Sequence, residues 1–144
     1  MIFVSACLTG ERCRYDGKST PDENMIKMVK NGKAVAACPE VMAGAKTPRI
    51  PAEIIGGDGF DVLDGKAKIF DKEGNDKTEE FLKGANLTLE LCKKESVSKA
   101  ILKARSPSCG SGIIYDGSFK GRLKGGFGVA AALLSRSGVE VTGL

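Results

Sequence analysis

The sequence predicts an α/β fold built on a single open, mostly parallel sheet, with flanking helices and β-hairpin insertions. The first observation behind this prediction is that three short β-prone runs each end at or shortly before a cysteine: residues 2–6 precede Cys7, residues 33–37 precede Cys38, and residues 100–102 lead into the turn that holds Cys109. The second is that capped helix starts alternate with these runs, which is typical of β-α-β units. Because the carboxyl ends of parallel strands share one edge of an open sheet, where ligands bind, we expect the three cysteines to meet there.

Length and composition agree with this fold. A chain of 144 residues, 42% of them hydrophobic, is expected to form one domain over residues 1–144 and to bury roughly 68–70% of its unfolded surface. The amino terminus, Met1-Ile2-Phe3-Val4, shows neither a basic region nor a long apolar region, and no apolar run approaches the ~18 residues of a membrane span. We therefore expect a cytoplasmic, soluble protein without a membrane partner.

Charge and residue types narrow the classes of function. The 22 Lys+Arg and 18 Asp+Glu give a net charge of +4, which is too small to indicate a stable nucleic-acid partner. Five cysteines, an odd number, favour metal binding or catalysis over a disulfide framework. The absence of histidine excludes Cys-His dyads, Ser-His-Asp triads and imidazole-ligated zinc. Any general base must then be a carboxylate, a lysine, a tyrosine or a thiolate.

The first half of the chain predicts a strand, a helix and a second strand. A polar loop after the first strand closes on the turn signal Asp16-Gly17. The first helix is predicted to begin with Thr20 as its N-cap, Pro21 at the first helical position and Glu23 as the partner in a capping box. Asn31-Gly32 ends this helix, and the second strand follows.

The middle of the chain predicts a loop, a hairpin and a long helix. The prolines in residues 47–51 exclude regular helix or central strand, so this segment is expected to form a pocket wall. Residues 61–63 and 66–70 flank Asp64-Gly65, which is the spacing of a two-residue hairpin. A capped helix starts at residues 76–79, and its apolar stripe consists of Phe81, Ala85, Leu89 and Cys92.

The last third predicts another hairpin, a helix and a final strand. Residues 113–119 form a hairpin around Asp116-Gly117, residues 129–134 form an apolar helix, and residues 139–141 form a strand. The glycine-rich segment 125–128 has two interpretations that stay open. It is either a close-packed turn or a helix N-terminus whose exposed N–H groups bind an anion or a negatively charged cluster.

The cysteines fall into three groups. Cys92 completes a helical apolar stripe, so we assign it to the core, whereas Cys7, Cys38 and Cys109 predict a shared metal site. Cys13 stays undecided between a surface thiol and an additional ligand. Structural zinc usually takes four ligands in close pairs such as CxxC, which this chain lacks, while an iron–sulfur cluster suits sulfur-only ligation. Three cysteines leave one iron open, and an open iron is a Lewis acid, which indicates catalysis.

The chain also resembles a known bacterial family over essentially its whole length. The matching blocks, in chain order, are Ser5-Ala6-Cys7-Leu8, Arg14-Tyr15-Asp16-Gly17, Cys38-Pro39-Glu40, Pro48-Arg49, Ser106-Pro107-Ser108-Cys109-Gly110 and Tyr115-Asp116-Gly117. They are similar to the catalytic domain of the family catalogued as domain of unknown function 523, which includes 2-thiouracil desulfidase. The resemblance implies an oxygen-sensitive [4Fe-4S] cluster held by Cys7, Cys38 and Cys109. It also implies non-redox removal of sulfur from a small thiolated pyrimidine such as 2-thiouracil, giving uracil and sulfide.

Five further residues are candidates for the chemistry. Glu40, two residues past a proposed ligand, is the candidate general base, and Ser106 the hydroxyl that contacts the ring or the attacking water. Asp16, Arg49 and Ser108 are candidates for binding and orienting the substrate. The alternatives are that Glu40 is a surface salt-bridge or capping carboxylate and that Ser106 only stabilises its turn.

Two other functions remain in competition. One is the desulfuration or thiolation of thionucleosides in tRNA, and the other is a zinc-stabilised binding module without catalysis. The sequence does not predict an oligomeric state.

Overall fold

The computed structural model describes residues 1–144 and contains eight strands and five helices. The strands are β1 (Ile2–Ser5), β2 (Ala34–Ala37), β3 (Ala52–Ile55), β4 (Lys68–Asp71), β5 (Lys99–Leu102), β6 (Ser111–Tyr115), β7 (Leu123–Phe127) and β8 (Glu140–Gly143). The helices are α1 (Glu23–Lys30), α2 (Pro39–Met42), α3 (Gly59–Leu63), α4 (Thr78–Lys94) and α5 (Val129–Arg136), and a 3₁₀ turn spans Ala6–Thr9. None of the helices has the length and apolar character needed to span a bilayer.

Four parallel strands form the central sheet, in the order β2-β1-β5-β8. In one row of the register, Phe3 pairs with Val35 on one side and Ala100 on the other, and Ala100 pairs with Val141. Two antiparallel hairpins, β3–β4 and β6–β7, stand apart from this sheet. The predicted fold class, an open and mostly parallel sheet with helices and hairpins, is confirmed.

The core lies on both faces of the central sheet. Successive side chains of a strand point to opposite faces, so Phe3 packs in the cluster that contains Leu134 of α5, while Val4 packs in the cluster that contains Met25 of α1. A third cluster joins the β3–β4 hairpin to α4 and α5. The predicted stripe of α4 is confirmed, because Phe81, Ala85 and Cys92 are buried and Leu89 packs against the same core.

The start of α1 differs from the prediction. The N-cap is Asp22, whose carboxylate accepts hydrogen bonds from the backbone N–H groups of Asn24 (2.9 Å) and Met25 (3.2 Å). Thr20 does not cap the helix, because it lies three residues before the first helical residue, Glu23. Its backbone N–H donates to the carbonyl of Cys7 (2.9 Å) and holds this segment against the 3₁₀ turn.

The hairpin predicted at Asp64-Gly65 is wrong. Residues 59–63 form α3, since Asp58 and Asp61 make a reciprocal capping box in which the Asp58 carboxylate accepts from Asp61 N (3.4 Å) and the Asp61 carboxylate accepts from Asp58 N (2.9 Å). The strand that follows, β4, pairs with β3 instead. The hairpin predicted near Asp116-Gly117 is present as β6–β7, with residues 116–122 as its loop.

Candidate active site

A cavity of about 360 Å³ lies at the carboxyl edge of the central sheet. Cys7 enters it from the 3₁₀ turn after β1, Cys38 from the residue between β2 and α2, and Cys109 from the loop between β5 and β6. The structure thus brings together the three cysteines that the strand pattern placed at one edge. Cys13 also lines the cavity and is only 8% exposed, so it is not a surface thiol.

The four cysteines line the same cavity. The Cys38 thiol donates to the carbonyl of Cys13 (3.9 Å), which connects two of them directly. The fifth cysteine, Cys92, is buried in the apolar core as predicted. Four thiols therefore converge on one cavity, although the strand pattern identified only three of them.

The surroundings of these sulfurs shift their pKa values in different directions. Hydrogen bonding from Cys13 lowers the pKa of Cys7 to about 6, and Arg14 and Lys103 add favourable charge. Hydrogen bonding from Cys13 also lowers the pKa of Cys38 to about 7. Burial raises the pKa of Cys109, and donation to its two neighbours raises that of Cys13. Two of the sulfurs are thus close to ionisation at neutral pH, and the thiolate is the form that binds metal.

The donor set fits an iron–sulfur cluster better than a single ion. No three Cys, Asp, Glu or His side chains converge closely enough to hold one metal ion. A mononuclear zinc site requires four ligands around one centre. A [4Fe-4S] cluster requires no such convergence, because each cysteine binds a different iron and all of its protein ligands are sulfur.

The loop that carries Cys109 is held by the N-terminus of α5. Its first N–H groups donate to loop carbonyls, and the bonds are Gly128 N to Gly110 O (2.7 Å), Val129 N to Pro107 O (2.7 Å), Ala130 N to Ser108 O (3.0 Å) and Ala131 N to Ser108 O (3.1 Å). A Cβ at Gly128 would lie 2.5 Å from Ser108 O, so only glycine permits this approach. The glycine-rich segment is therefore not an anion-binding helix start, because the N–H groups of Gly128 and of the first turn of α5 already bond to the loop. Residues 125–127 are the end of β7, and the close-packed approach to the loop is made at Gly128 alone.

Ser106 stabilises the same loop. Its hydroxyl accepts a hydrogen bond from the backbone N–H of Cys109 (2.7 Å), and its carbonyl accepts from Gly110 N (2.9 Å). The Ser106 and Ser108 hydroxyls lie 3.2 Å apart. Ser106 thus orients the backbone of Cys109 through a hydrogen bond within the same loop.

Glu40 lies at the centre of a hydrogen-bond network at the cavity. The Ser108 hydroxyl donates to Glu40 Oε2 (2.8 Å), and Arg49 Nε donates to Glu40 Oε1 (3.1 Å). Arg49 Nη2 also donates to the carbonyl of Cys13 (2.9 Å). Since the Glu40 and Arg49 side chains are only 15% and 14% exposed, this is a fixed, half-enclosed ion pair and not a surface one.

Comparison with known proteins identifies the family. A family profile described as 2-thiouracil desulfurase matches residues 2–143. The chain belongs to this desulfurase family. It is 52% identical over 141 residues to the Bacillus subtilis (strain 168) protein YbbK, which carries no described function, and the match covers 98% of this chain and 93% of YbbK. It is also similar to the solved structure of TudS, named a [4Fe-4S]-dependent thiouracil desulfidase, with a TM-score of 0.88, 42% identity, and coverage of 99% of this chain and 89% of TudS.

Membership in the 2-thiouracil desulfurase family confirms the resemblance that the sequence blocks carried. It also confirms that the chain is an α/β protein of an enzyme family, because the match to TudS extends over nearly the whole fold. The zinc-stabilised binding module without catalysis is thereby disfavoured.

One candidate residue of this desulfurase-family chain lies away from the cavity. The Asp16 carboxylate accepts from Lys18 N (2.9 Å) in a local turn and lies 3.9 Å from Arg14 Nε. Its neighbours Arg14 and Tyr15 line the cavity, but Asp16 does not. The Asp-Gly pair therefore shapes the loop from outside the cavity wall.

The structure adds wall residues to which the sequence analysis assigned no role. They are aromatic or cationic, and the set is Arg14, Tyr15, Lys72, Lys103, Arg105, Tyr115 and Phe119. The buried carboxylate of Glu53 accepts from Gly117 N (2.9 Å) and Phe119 N (3.2 Å) and so holds the β6–β7 loop at the cavity. The Tyr115-Asp116-Gly117 block was a usable signal, but on its own it indicated only a turn.

Proposed function

We propose that this chain converts a small thiolated pyrimidine, such as 2-thiouracil, and water into uracil and sulfide without net oxidation or reduction. The observation that carries the proposal is the meeting of Cys7, Cys38 and Cys109 with the Glu40–Ser108 pair at one cavity. Membership in the 2-thiouracil desulfurase family and the likeness to TudS support it.

The cofactor proposed for this site is a [4Fe-4S] cluster held by Cys7, Cys38 and Cys109. TudS is named as dependent on such a cluster, and the all-sulfur donor set of the cavity fits one. When bound, the cluster would supply an iron without a cysteine ligand, a thiophilic Lewis acid suited to sulfur as a leaving atom.

Glu40 is proposed to accept the proton of the attacking water. A general base must lie within hydrogen-bond reach of the proton that it removes, in a fixed orientation, and the chain has no histidine for this role. Arg49 fixes one oxygen of the Glu40 carboxylate and Ser108 fixes the other. The carboxylate is thereby oriented beside the cysteines before substrate arrives.

The two serines receive different proposed roles. Ser108, only 2% exposed, donates directly to Glu40 and so holds the carboxylate that accepts the proton of the water. Ser106 accepts from the backbone N–H of Cys109, so it positions a proposed ligand. The geometry therefore favours Ser108 over Ser106 as the hydroxyl of the catalytic pair, and Arg49 as a positioning residue beside them.

The cavity walls suit a flat ring. Tyr15, Tyr115 and Phe119 can stack on or edge against a pyrimidine, which is how aromatic side chains contact planar ligands. The cationic side chains nearby stabilise the negative charge of the cysteine thiolates and of the leaving sulfide.

The proposal is tested by rebuilding the cluster under anaerobic conditions and adding 2-thiouracil. We expect uracil and sulfide in equal amounts, measured by chromatography and by a colorimetric sulfide assay, and none from protein without iron. Metal analysis of anaerobically purified protein distinguishes this enzyme from the zinc-stabilised binding module. Iron with acid-labile sulfide supports the enzyme, whereas stoichiometric zinc without sulfide would contradict it.

A further inference from the structure

One buried side-chain oxygen in the structure has no hydrogen-bond partner, the hydroxyl of Thr20. A buried hydroxyl without a partner destabilises the folded state, so such atoms are rare in native proteins and require an explanation. Thr20 is not a helix cap, because Asp22 performs that function. The Thr20 hydroxyl is thus buried although it has no role in secondary structure.

The backbone fixes this hydroxyl against Cys7. The N–H of Thr20 donates to the carbonyl of Cys7 (2.9 Å), and the N–H of Asp22 donates to the carbonyl of Leu8 (2.8 Å). These two bonds lay residues 20–22 along the 3₁₀ turn that carries the cysteine. The unpartnered Thr20 hydroxyl is therefore a free donor on a residue whose backbone is bonded directly to Cys7.

A second buried hydroxyl lies at the same cavity. Ser5 is 2% exposed and lines the cavity, and its Oγ accepts from the backbone N–H of Lys103 (3.0 Å), which leaves its own proton free to donate. Cys92, by contrast, is buried among the apolar side chains of the core. Hydroxyl donors therefore accompany the cysteines of the cavity and not the cysteine of the core.

We propose that Thr20 is a positioning residue of the iron–sulfur site, whose hydroxyl donates a hydrogen bond to the Cys7 sulfur when that sulfur binds iron. The inference rests on the proposed function and adds to it a residue outside the cysteines and the Glu40 network. A hydrogen bond to a ligating sulfur stabilises its negative charge, and more so in the reduced cluster, so it raises the reduction potential. Outer donors of this kind also orient the ligand and strengthen retention of the metal.

The test compares variants at Thr20 with a matched substitution elsewhere. Thr20→Val removes the hydroxyl at nearly constant shape, and Thr20→Ser keeps it. Thr88→Val is the control, because Thr88 is also fully buried but its hydroxyl already has a partner, the carbonyl of Gly84 (2.7 Å) in its own helix. After anaerobic reconstitution, each protein is titrated potentiometrically with the reduced cluster followed by electron paramagnetic resonance, and cluster loss in air is timed by visible absorbance.

We expect Thr20→Val to show a more negative midpoint potential and a shorter cluster half-life in air than the wild type. Thr20→Ser and Thr88→Val should remain close to wild type in both. Identical potentials for wild type and Thr20→Val would overturn the inference and leave the proposed function standing, since both proteins would hold the cluster. If Thr20→Val takes up no cluster, the result for Thr20→Ser decides between the explanations. Cluster uptake by Thr20→Ser would support the need for a hydroxyl at this position, and its failure to take up the cluster would overturn the inference. Failure of the wild type to take up iron would instead count against the proposed function itself.

Discussion

Cys7, Cys38 and Cys109 differ from Cys92 in what surrounds the sulfur. The first three face a cavity and have polar neighbours, whereas Cys92 is 1% exposed among apolar side chains. Burial alone raises the pKa of Cys92 to about 11, so it remains a thiol at physiological pH. The same residue type therefore serves packing in one place and is proposed to bind metal in another.

Serine substitutions separate these roles. Replacing Cys7, Cys38 or Cys109 by serine should abolish the broad visible absorption of a reconstituted cluster, because each supplies a thiolate that no nearby group replaces. Cys92→Ser should keep that absorption, although a hydroxyl in the apolar core lowers the free energy of unfolding by roughly 1–3 kcal/mol. A Cys92→Ser protein without the cluster, beside a Cys38→Ser protein that retains it, would contradict the assignment.

The carboxylate of Glu40 is the group on which turnover should depend most. Glu40→Gln keeps the shape and can still accept from Arg49, but it removes a proton acceptor. We expect turnover of 2-thiouracil to fall by about 10²–10⁴-fold with normal cluster content, as measured from absorbance and iron analysis. Glu90→Gln, on the exposed side of α4, is the matched control and should have wild-type turnover. Unchanged turnover in Glu40→Gln would transfer the proton-accepting role to another group.

At the scale of elements, two helices set the positions of the site loops. The N-terminus of α5 donates to the carbonyls of Pro107, Ser108 and Gly110. α4 packs closely against α2, and a Cβ at Gly84 would lie 2.3 Å from the carbonyl oxygen of Pro39. Because Pro39 lies between Cys38 and Glu40, this contact determines where a proposed ligand and the proposed base sit.

Gly84→Ala tests that contact. Alanine favours a helix over glycine by about 1 kcal/mol, but here the added methyl group must push α2 away. Overpacking of this kind costs roughly 1–3 kcal/mol, so we expect a net loss of stability in urea unfolding together with reduced cluster uptake. Gly125→Ala, where the nearest atom to a new Cβ is 3.9 Å away, is the control. Higher stability with full cluster uptake in Gly84→Ala would show that α2 is not held by this contact.

Most elements determined by local sequence were predictable, and contacts between distant segments were not. The three cysteine-bearing strands and the stripe of α4 follow from runs and periodicity that a single segment contains. The Asp64-Gly65 signal was overridden by the capping box at Asp58, which is itself a local signal that the turn dipeptide obscured. The glycine-rich segment had two interpretations because its partners, residues 107–110, lie elsewhere in the chain.

The same reasoning explains what was predictable about the site. Strand ends located Cys7, Cys38 and Cys109, since topology brings such ends to one edge of a sheet. The contact of Ser108 with Glu40, and the place of Cys13 among the sulfurs, depend on how loops from different parts of the chain pack together. No spacing in the sequence contains that information.

At the scale of the whole molecule, the sheet order brings distant segments to one cavity. Closing the span of roughly 70 residues between Cys38 and Cys109 costs on the order of 4 kcal/mol in chain entropy. The free energy gained when β1 pairs in parallel with both β2 and β5 offsets this loss of chain entropy during folding. A cluster bound to all three cysteines would therefore connect three strands that the fold has already assembled.

Cluster binding should consequently stabilise the fold. A ligand that binds only the folded state stabilises it by mass action, by about 2.7 kcal/mol at 100 times its Kd. For a chain of this size we expect the melting temperature to rise by roughly 5–10 °C on loading, measured anaerobically by circular dichroism. Cys38→Ser treated with the same iron and sulfide should show no rise. Equal melting temperatures for loaded and cluster-free wild type would indicate that the three cysteines do not bind one group together.

The distribution of charge over the whole molecule distinguishes a small substrate from tRNA. Binding to tRNA normally rests on several Lys or Arg contacts with phosphates, so its affinity falls steeply as salt rises. This chain has a net charge of +4, two tyrosines, six phenylalanines and no tryptophan for stacking on bases, and Arg14, Lys72, Lys103 and Arg105 gather at a single cavity. We therefore expect weak, non-specific tRNA retention in filter binding, and desulfuration of free 2-thiouracil that changes little between low and moderate salt. If the same cluster-loaded preparation leaves free 2-thiouracil untouched and converts thiolated tRNA, then the substrate is a nucleoside in tRNA and the small-molecule proposal is wrong.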